Sequence, residues 1–117
     1  KTRLITTGRV VEPGTHGGIS FFGTSAALVG AIFIAVLFWG TAKGFSFTSF
    51  VVIGVIGFLG CLVDSYIGAR YQGRHLKIPF LSVDGSSEFY VGNNFVNWLA
   101  TGIASIISLI LILIIGI

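Results

Sequence analysis

The sequence predicts an all-α fold: a polytopic bundle of three transmembrane helices that forms a single transmembrane domain, 1–117. Two features of the composition carry this prediction. Hydrophobic residues make up 54% of the 117-residue chain and charged residues only 9%, whereas a soluble domain carries about 25% charged residues. A soluble chain of this composition would expose apolar surface to water and aggregate, so lipid is the expected solvent.

Three apolar stretches have the length of a transmembrane helix, which needs about 20 residues to cross a hydrocarbon core of about 30 Å. The first helix is predicted at about 20–40, after a polar, glycine-rich segment, 1–19. A short loop leads to the second helix, at about 47–71. A polar loop, 72–93, then leads to the third helix, at about 94–117.

The basic residues predict the orientation in the membrane. Six of the seven fall on one side, because two crossings separate the first three from the last three: Lys1, Arg3, Arg9, Arg70, Arg74 and Lys77. The other side has only Lys43. Cytoplasmic loops are enriched in Lys and Arg, so segment 1–19 and loop 72–93 are expected to be cytoplasmic. Nucleic acid is not an expected partner, since no basic stripe is interleaved with aromatic residues.

Small and polar residues recur at helical spacing on all three helices. They allow backbones to approach closely and side chains to hydrogen-bond between helices. The second helix carries Gly54, Gly57, Gly60 or Cys61, Asp64 and Gly68 near one predicted face, and the third carries a polar row of Asn94, Asn97, Thr101, Ser105 and Ser108. Each helix is therefore expected to have one face for its neighbours and one for lipid.

Asp64 is the most informative residue, because it lies inside an apolar run about two turns before the cytoplasmic end of its helix. A carboxylate at this depth costs several kcal/mol unless it is paired, hydrated or bound to a cation. Asp64 could be a Mg²⁺ ligand or a proton acceptor; it could also form an interhelical hydrogen bond or a buried ion pair. Arg70, nearer the water, is suited to phosphate or carboxylate but also to snorkelling towards anionic lipid headgroups.

A glycine-rich loop, 13–20, leads into the first helix, with Ser20 predicted as its N-cap. Free N–H groups at such a helix start suit phosphate, although the loop is not a Walker A motif and could be a simple turn. His16 could bind phosphate, shuttle a proton or be an ordinary interfacial histidine. Asn94 and Asn97 could hold a metal ion, a phosphate or a base, or could cap the third helix and bond to its neighbours.

Two classes of site are excluded by residue type. One Cys and two His residues cannot form a structural zinc site of Cys and His ligands. The sequence also has no nucleophile elbow with an accompanying Ser, His and Asp set.

Three phrases, in order, resemble an integral-membrane family. They are residues 4–9 with 13–20 and Gly23-Thr24, then Asp64-Ser65 through Gln72, and then Asn94 to Asn97. The family they resemble was long labelled domain of unknown function ninety-two, and it includes human transmembrane protein nineteen and the plant phytyl-phosphate kinase of vitamin E synthesis. The resemblance covers nearly the whole chain and corresponds to the C-terminal half of that family.

The resemblance implies a membrane kinase that transfers phosphate from a nucleoside triphosphate to an isoprenyl monophosphate, with Mg²⁺ as cofactor and the lipid bilayer as its surroundings. On this interpretation the catalytic residues are Asp64, Arg70 and His16, with Asp64 as the Mg²⁺ ligand. The residues expected to bind substrate or phosphate are Gly14, Thr15, Gly17, Ser20, Gln72, Asn94 and Asn97.

Two further functions stay open alongside the kinase. A transporter or flippase of an anionic lipid or metabolite also suits an intramembrane acid and a polar row, and a non-catalytic membrane subunit is the third possibility. Members of the family are roughly twice this length and carry an acidic motif before the position of Lys1. The chain has no Met, so it is expected to be a fragment or processed piece whose metal site is completed by the N-terminal half or by a second chain.

Overall fold

Three helices and five short strands make up the fold in the computed structural model, which describes residues 1–41, 46–77 and 88–115. The elements in chain order are β1 (Thr2–Leu4), β2 (Val10–Val11), β3 (Gly18–Ile19), α1 (Phe21–Thr41), α2 (Phe47–Tyr71), β4 (His75–Lys77), β5 (Glu88–Tyr90) and α3 (Asn93–Ile115). Lys43 and residues 116–117 of the predicted third helix lie outside the described residues.

All three helices are long and apolar enough to cross a membrane, with mean hydropathies of 2.3, 2.2 and 2.6 over an 18-residue segment of α1, α2 and α3. At a rise of about 1.5 Å per residue, helices of 21 to 25 residues match or exceed the hydrocarbon thickness. The predicted membrane bundle of three helices is confirmed. The bounds of α2 coincide with the predicted span, whereas α1 begins and ends one residue later than predicted and α3 begins one residue earlier.

Hydroxyl side chains fix where the first two helices begin. The Oγ of Ser20 accepts a hydrogen bond from the N–H of Gly23 at 3.1 Å, so Ser20 is the predicted N-cap of α1. Ser46 has the same role for α2, since its Oγ accepts from the N–H of Ser49 at 3.2 Å. Such caps satisfy backbone donors that the helix itself leaves free.

The helix α2 lies between the other two and packs against both. A Cβ on Gly57 would lie 3.4 Å from the Cβ of Ala31 in α1, whereas a Cβ on Gly60 would lie 3.4 Å from the Cβ of Ala104 in α3. Gly57 and Gly60 lie about 60° apart around the helix, so one broad small-residue face of α2 meets both neighbours.

The glycine-rich segment 1–19 folds into a three-stranded antiparallel sheet in the order β2-β1-β3. This sheet is held against the end of α2 by Gly17. A Cβ on Gly17 would lie 2.6 Å from the backbone nitrogen of Ala69, and the φ of Gly17 is +72°. A glycine is therefore required here both by contact and by backbone conformation.

Part of the polar loop 72–93 forms an antiparallel pair, β4 and β5, in which Leu76 is opposite Phe89. These two side chains pack against a buried cluster where α2 meets α3: Ile67, Val91, Val96 and Ala100. The ring of Phe89 also lies edge-on to Phe95, with centroids 4.9 Å apart. The best-packed part of the molecule is thus the end of the α2–α3 pair on the side of the predicted cytoplasmic loop.

The packing of the sheet against α2 can be tested by the substitution Gly17→Ala. The added methyl group would overlap Ala69 and force an unfavourable backbone conformation, so we expect a loss of about 1–3 kcal/mol in stability. Gly8→Ala is the matched control, because Gly8 has a φ of +69° but no atom within 4 Å of the added Cβ. Thermal unfolding in detergent measures both. Equal destabilisation of the two variants would show that the contact between Gly17 and Ala69 does not contribute to stability.

Candidate functional site

The candidate site is built around Asp64, near the end of α2. Its Oδ1 is buried and has no hydrogen-bond partner in the part of the chain that the structure describes. An unpaired buried carboxylate oxygen costs about 1–3 kcal/mol or more. The interhelical hydrogen bond considered for Asp64 is therefore not formed at this oxygen by any described residue, and the oxygen is available to a ligand.

Asp64 lines an open groove of about 460 Å³ between α2 and α3. The groove has a polar end near the connection between the two helices, formed by Asp64, Ser65 and Asn97. Small and apolar residues continue it towards the membrane interior: Ile56, Gly57, Gly60, Cys61, Ala100 and Ala104, with Thr101 between the two parts. From Ile56 to Ser65 the groove follows α2 for about 14 Å. Its lining would suit a ligand with a polar head and an apolar chain.

A second groove, of about 210 Å³, lies on the other flank of α2. The end of the glycine-rich loop and the first turns of α1 form one wall, and Cys61, Leu62 and Ser65 of α2 form the other. Cys61 and Ser65 line both grooves. The site therefore consists of two clefts that meet along one stripe of α2.

The glycine-rich loop is seated on the last turn of α2. A Cβ on Gly68 would lie 3.6 Å from the backbone nitrogen of Gly17, and one on Gly73 would lie 3.8 Å from the ring of His16. The N–H groups of His16 and Gly17 make no hydrogen bond within the described residues. Two successive free N–H groups, the second in a left-handed residue, form the kind of concave donor pair that binds anions.

The hydroxyl groups predicted to bind phosphate already have structural partners. Thr15 Oγ1 donates to the carbonyl of Glu12 at 2.7 Å, whereas Ser20 Oγ accepts from the N–H of Gly23 as the cap of α1. Gly14 is an exposed turn residue with a φ of +91°. The donor hydrogen of Thr15 is therefore engaged, whereas the backbone of the loop and the O–H of Ser20 can still donate to a ligand.

The remaining predicted site residues lie either in the larger groove or outside it. Arg70 is exposed on the last turn of α2 and makes no ion pair or hydrogen bond with the described residues. Gln72 donates through Nε2 to Oδ1 of Asn93 at 3.4 Å. Asn97 lines the larger groove, but Asn94, which was predicted to point the same way, is exposed and does not. The residue that joins the α2 and α3 motifs is thus Asn93, which the sequence did not single out.

Mg²⁺ would find a single carboxylate in this site, because the described residues contain no cluster of three or more His, Cys, Asp or Glu side chains. Mg²⁺ is commonly held by one or two carboxylates together with substrate phosphates and water. The free oxygen of Asp64, beside Asn97 in the groove, fits that mode of binding. Phosphate oxygens of a bound substrate would have to supply further ligands to the Mg²⁺ ion.

Three apolar helices with a polar site at one end define an integral membrane protein. A family model described as integral membrane protein DUF92 matches residues 1–105, and the chain belongs to this family. An uncharacterized membrane protein of Methanocaldococcus jannaschii is 34% identical over 115 residues. That alignment covers 95% of this chain and 40% of the relative, so the chain spans about two fifths of the relative's length. No solved structure matches the chain at a significant level.

Replacing Asp64 with its uncharged isostere tests whether the carboxylate is a structural or a ligand-binding group. Asp64→Asn removes an unpaired buried charge, so we expect the melting temperature of the ligand-free protein to stay level or rise, corresponding to about 1 kcal/mol. Glu88→Gln is the control: the side chain is about half exposed and lies 3.7 Å from Nδ1 of the similarly exposed His75, and loss of such an exposed pair should have little effect. A clear fall in melting temperature for Asp64→Asn alone would indicate a structural partner.

Proposed function

We propose that this chain forms the phosphate-handling part of a membrane kinase that transfers the terminal phosphate of a nucleoside triphosphate to a prenyl monophosphate. The observation that carries the proposal is the unpaired Oδ1 of Asp64, buried in a groove that is polar at one end and apolar along the rest. Intramembrane ionisable groups of this kind mark functional sites by default. The resemblance to the phytyl-phosphate kinase supplies the substrate class.

The groove between α2 and α3 has the properties that an amphiphilic acceptor requires. Its volume of about 460 Å³ lies in the range of small-molecule sites, about 300–1,000 Å³. The phosphate of the acceptor would lie beside Asp64 and Asn97, and its hydrocarbon chain would follow Gly57 and Ala104 towards the lipid. In this arrangement the acceptor never has to leave the membrane.

The nucleotide would approach from the water, where the glycine-rich loop meets the end of α2. The free N–H groups of His16 and Gly17 and the positive end of the α1 dipole favour phosphate. Arg70 and Gln72 lie on the same turn and cap of α2. A guanidinium without an internal partner is suited to hold a phosphate through two parallel hydrogen bonds.

In the proposed reaction, an oxygen of the prenyl monophosphate attacks the γ-phosphorus of the nucleotide. The bond from that phosphorus to the β–γ bridging oxygen breaks, and the nucleoside diphosphate leaves with the electron pair. Asp64 would hold Mg²⁺, which supplies neutralisation of the phosphate charge. Such reactions depend on positioning and electrostatic stabilisation and need no protein nucleophile. A second carboxylate from outside residues 1–117 would complete the site.

One observation favours a different function. The polar row of α3 continues from Asn97 through Thr101 to Ser105 and Ser108, past the middle of the helix. A transporter of an anionic lipid or metabolite would use such a row as a path between the two sides. Uptake of labelled substrate into liposomes, in the absence of any nucleotide, would favour transport over phosphate transfer.

The kinase is tested by measuring phosphate transfer from labelled nucleoside triphosphates to phytyl and geranylgeranyl monophosphate, with the complete protein in detergent. We expect product in the presence of Mg²⁺ and none after chelation. Asp64→Asn should lower the rate about 100-fold or more, the scale for losing one group that stabilises transition-state charge.

Glu88→Gln is again the control, because it makes the same chemical change outside both grooves. Its rate should equal that of the unchanged protein. Absence of product with every nucleotide, from protein that is folded and complete, would refute the kinase and leave transport or a non-catalytic subunit.

The cytoplasmic position of the phosphate end is part of the proposal and can be tested by labelling. In a Cys61→Ser background, Thr7→Cys lies in an exposed turn before β2, and Thr48→Cys is exposed in the first turn of α2. A membrane-impermeant maleimide should label Thr7→Cys only from the cytoplasmic side and Thr48→Cys only from the opposite side. The reverse pattern would put the site on the wrong side of the membrane for a cytoplasmic nucleotide.

A further inference from the structure

The helix α3 has a polar face that no described part of the chain covers. Asn97, Thr101 and Ser105 are all exposed and follow each other at four-residue steps, so they stack on one face of the helix. These three residues form the polar face of α3. The contacts of α3 with α2 are made by other residues, among them Val96 and Ala100, which are buried. Of the three helices, α3 is the most amphipathic.

The other exposed helix surfaces are of a different kind. In the middle turns of α1, hydrocarbon side chains such as those of Val29 and Phe33 are exposed. On α3, Ile106 and Leu113 are exposed on the side opposite the polar face. Lipid chains solvate these surfaces. They cannot solvate the polar face of α3, because hydrocarbon offers no hydrogen-bond donor or acceptor.

The hydrogen-bonding groups of this face are only partly satisfied. The Oγ of Ser105 donates to the carbonyl of Thr101 at 2.8 Å, within the same helix. The carboxamide of Asn97 and the hydroxyl of Thr101 have no partner among the described residues. A carboxamide has two donor hydrogens and an acceptor oxygen, so the unmet demand is concentrated at Asn97 and Thr101.

We propose that the polar face of α3 is the docking surface for a further transmembrane helix of the same protein, from outside residues 1–117. The helix would carry small residues and at least one hydrogen-bonding side chain opposite Asn97 and Thr101. Thr101 and Ser105 form a small-xxx-small pair, the pattern that lets two membrane helices approach closely. A Cβ on the adjacent Gly102 would meet no atom of the described residues within 4 Å, so space for a neighbour is present beside this pair.

The length of the relative argues for this occupant. The alignment to this chain covers 40% of that protein, so more than half of its length is available to supply helices of about 20 residues each. The docked helix would also cover the side of the larger groove that Asn97 and Thr101 line. The proposal does not depend on kinase activity, since it rests on the polarity and exposure of α3 and on the length of the relative.

Photo-crosslinking in the native membrane tests the proposal on the complete protein. A diazirine amino acid at Ser105 should form adducts with a peptide of the same protein from outside residues 1–117, identified by mass spectrometry; adducts with a different protein would contradict the proposal. The matched control is the same amino acid at Ile106, which is the next residue, is 61% exposed and points away by about a quarter turn. There the adducts should shift to lipid.

Two further outcomes would overturn the proposal. Lipid adducts at both positions would show that the polar face meets lipid. Adducts between differently isotope-labelled copies of residues 1–117 would show that a second copy is the partner.

A substitution without a bulky probe gives an independent readout. Thr101→Val keeps the shape of the side chain and removes the hydroxyl, so it should lower the melting temperature of the complete protein. Ser105→Ala should lower it less, because the Ser105 hydroxyl is bonded within its own helix. An unchanged or raised melting temperature for Thr101→Val would indicate a lipid-facing surface and contradict the proposal.

Discussion

Close approach to α2 is the constraint on which the rest of the structure depends. α2 has neighbours on two flanks and at its end, and the point of closest approach in each contact is made by residues whose side chain is hydrogen or methyl. Gly57 meets Ala31 of α1, Gly60 meets Ala104 of α3, and Gly17 of the amino-terminal loop lies on Ala69. Small residues give membrane helices the van der Waals contact that replaces a hydrophobic driving force within lipid. Larger residues at these positions would push α1, α3 and the amino-terminal loop away from α2. The shape of both grooves would change as a result.

The same small residues leave the two grooves open. Side chains of ordinary size at Gly57, Gly60 and Ala100 would fill the space beside Asp64 that is now a groove of about 460 Å³. The carboxylate is therefore held where its solvation is poor and its oxygen Oδ1 is unpaired. The carboxylate of Asp64 lowers the stability of the fold, and no described residue compensates for this cost. Functional sites commonly show such a trade-off between stability and activity. A purely structural acid would be expected to have a partner.

The sequence predicted the membrane helices well and the extramembrane structure poorly, for physical reasons. Apolar length and hydropathy are summed over about 20 residues, so errors at single positions cancel. Strands of two or three residues, such as Val10–Val11, are too short to show the alternation that identifies a strand. The sequence pattern indicated Asn94, but in the structure Asn93 is the residue that accepts a hydrogen bond from Gln72. That contact depends on where the chain enters α3, and helix ends are the least predictable feature of a sequence.

The interface of α2 and α3 has two unlike sides, and this asymmetry links the fold to the site. On one side Val91 and Val96 are fully buried under the hairpin of β4 and β5, which fixes the distance between the helices at the end where the polar groups gather. On the other side the same pair of helices stays apart around Asp64 and Asn97. A closed seam behind an open groove holds the groove at constant width without filling it. Ligand-binding residues carried on packed helices in this way are positioned more rigidly than residues on loops.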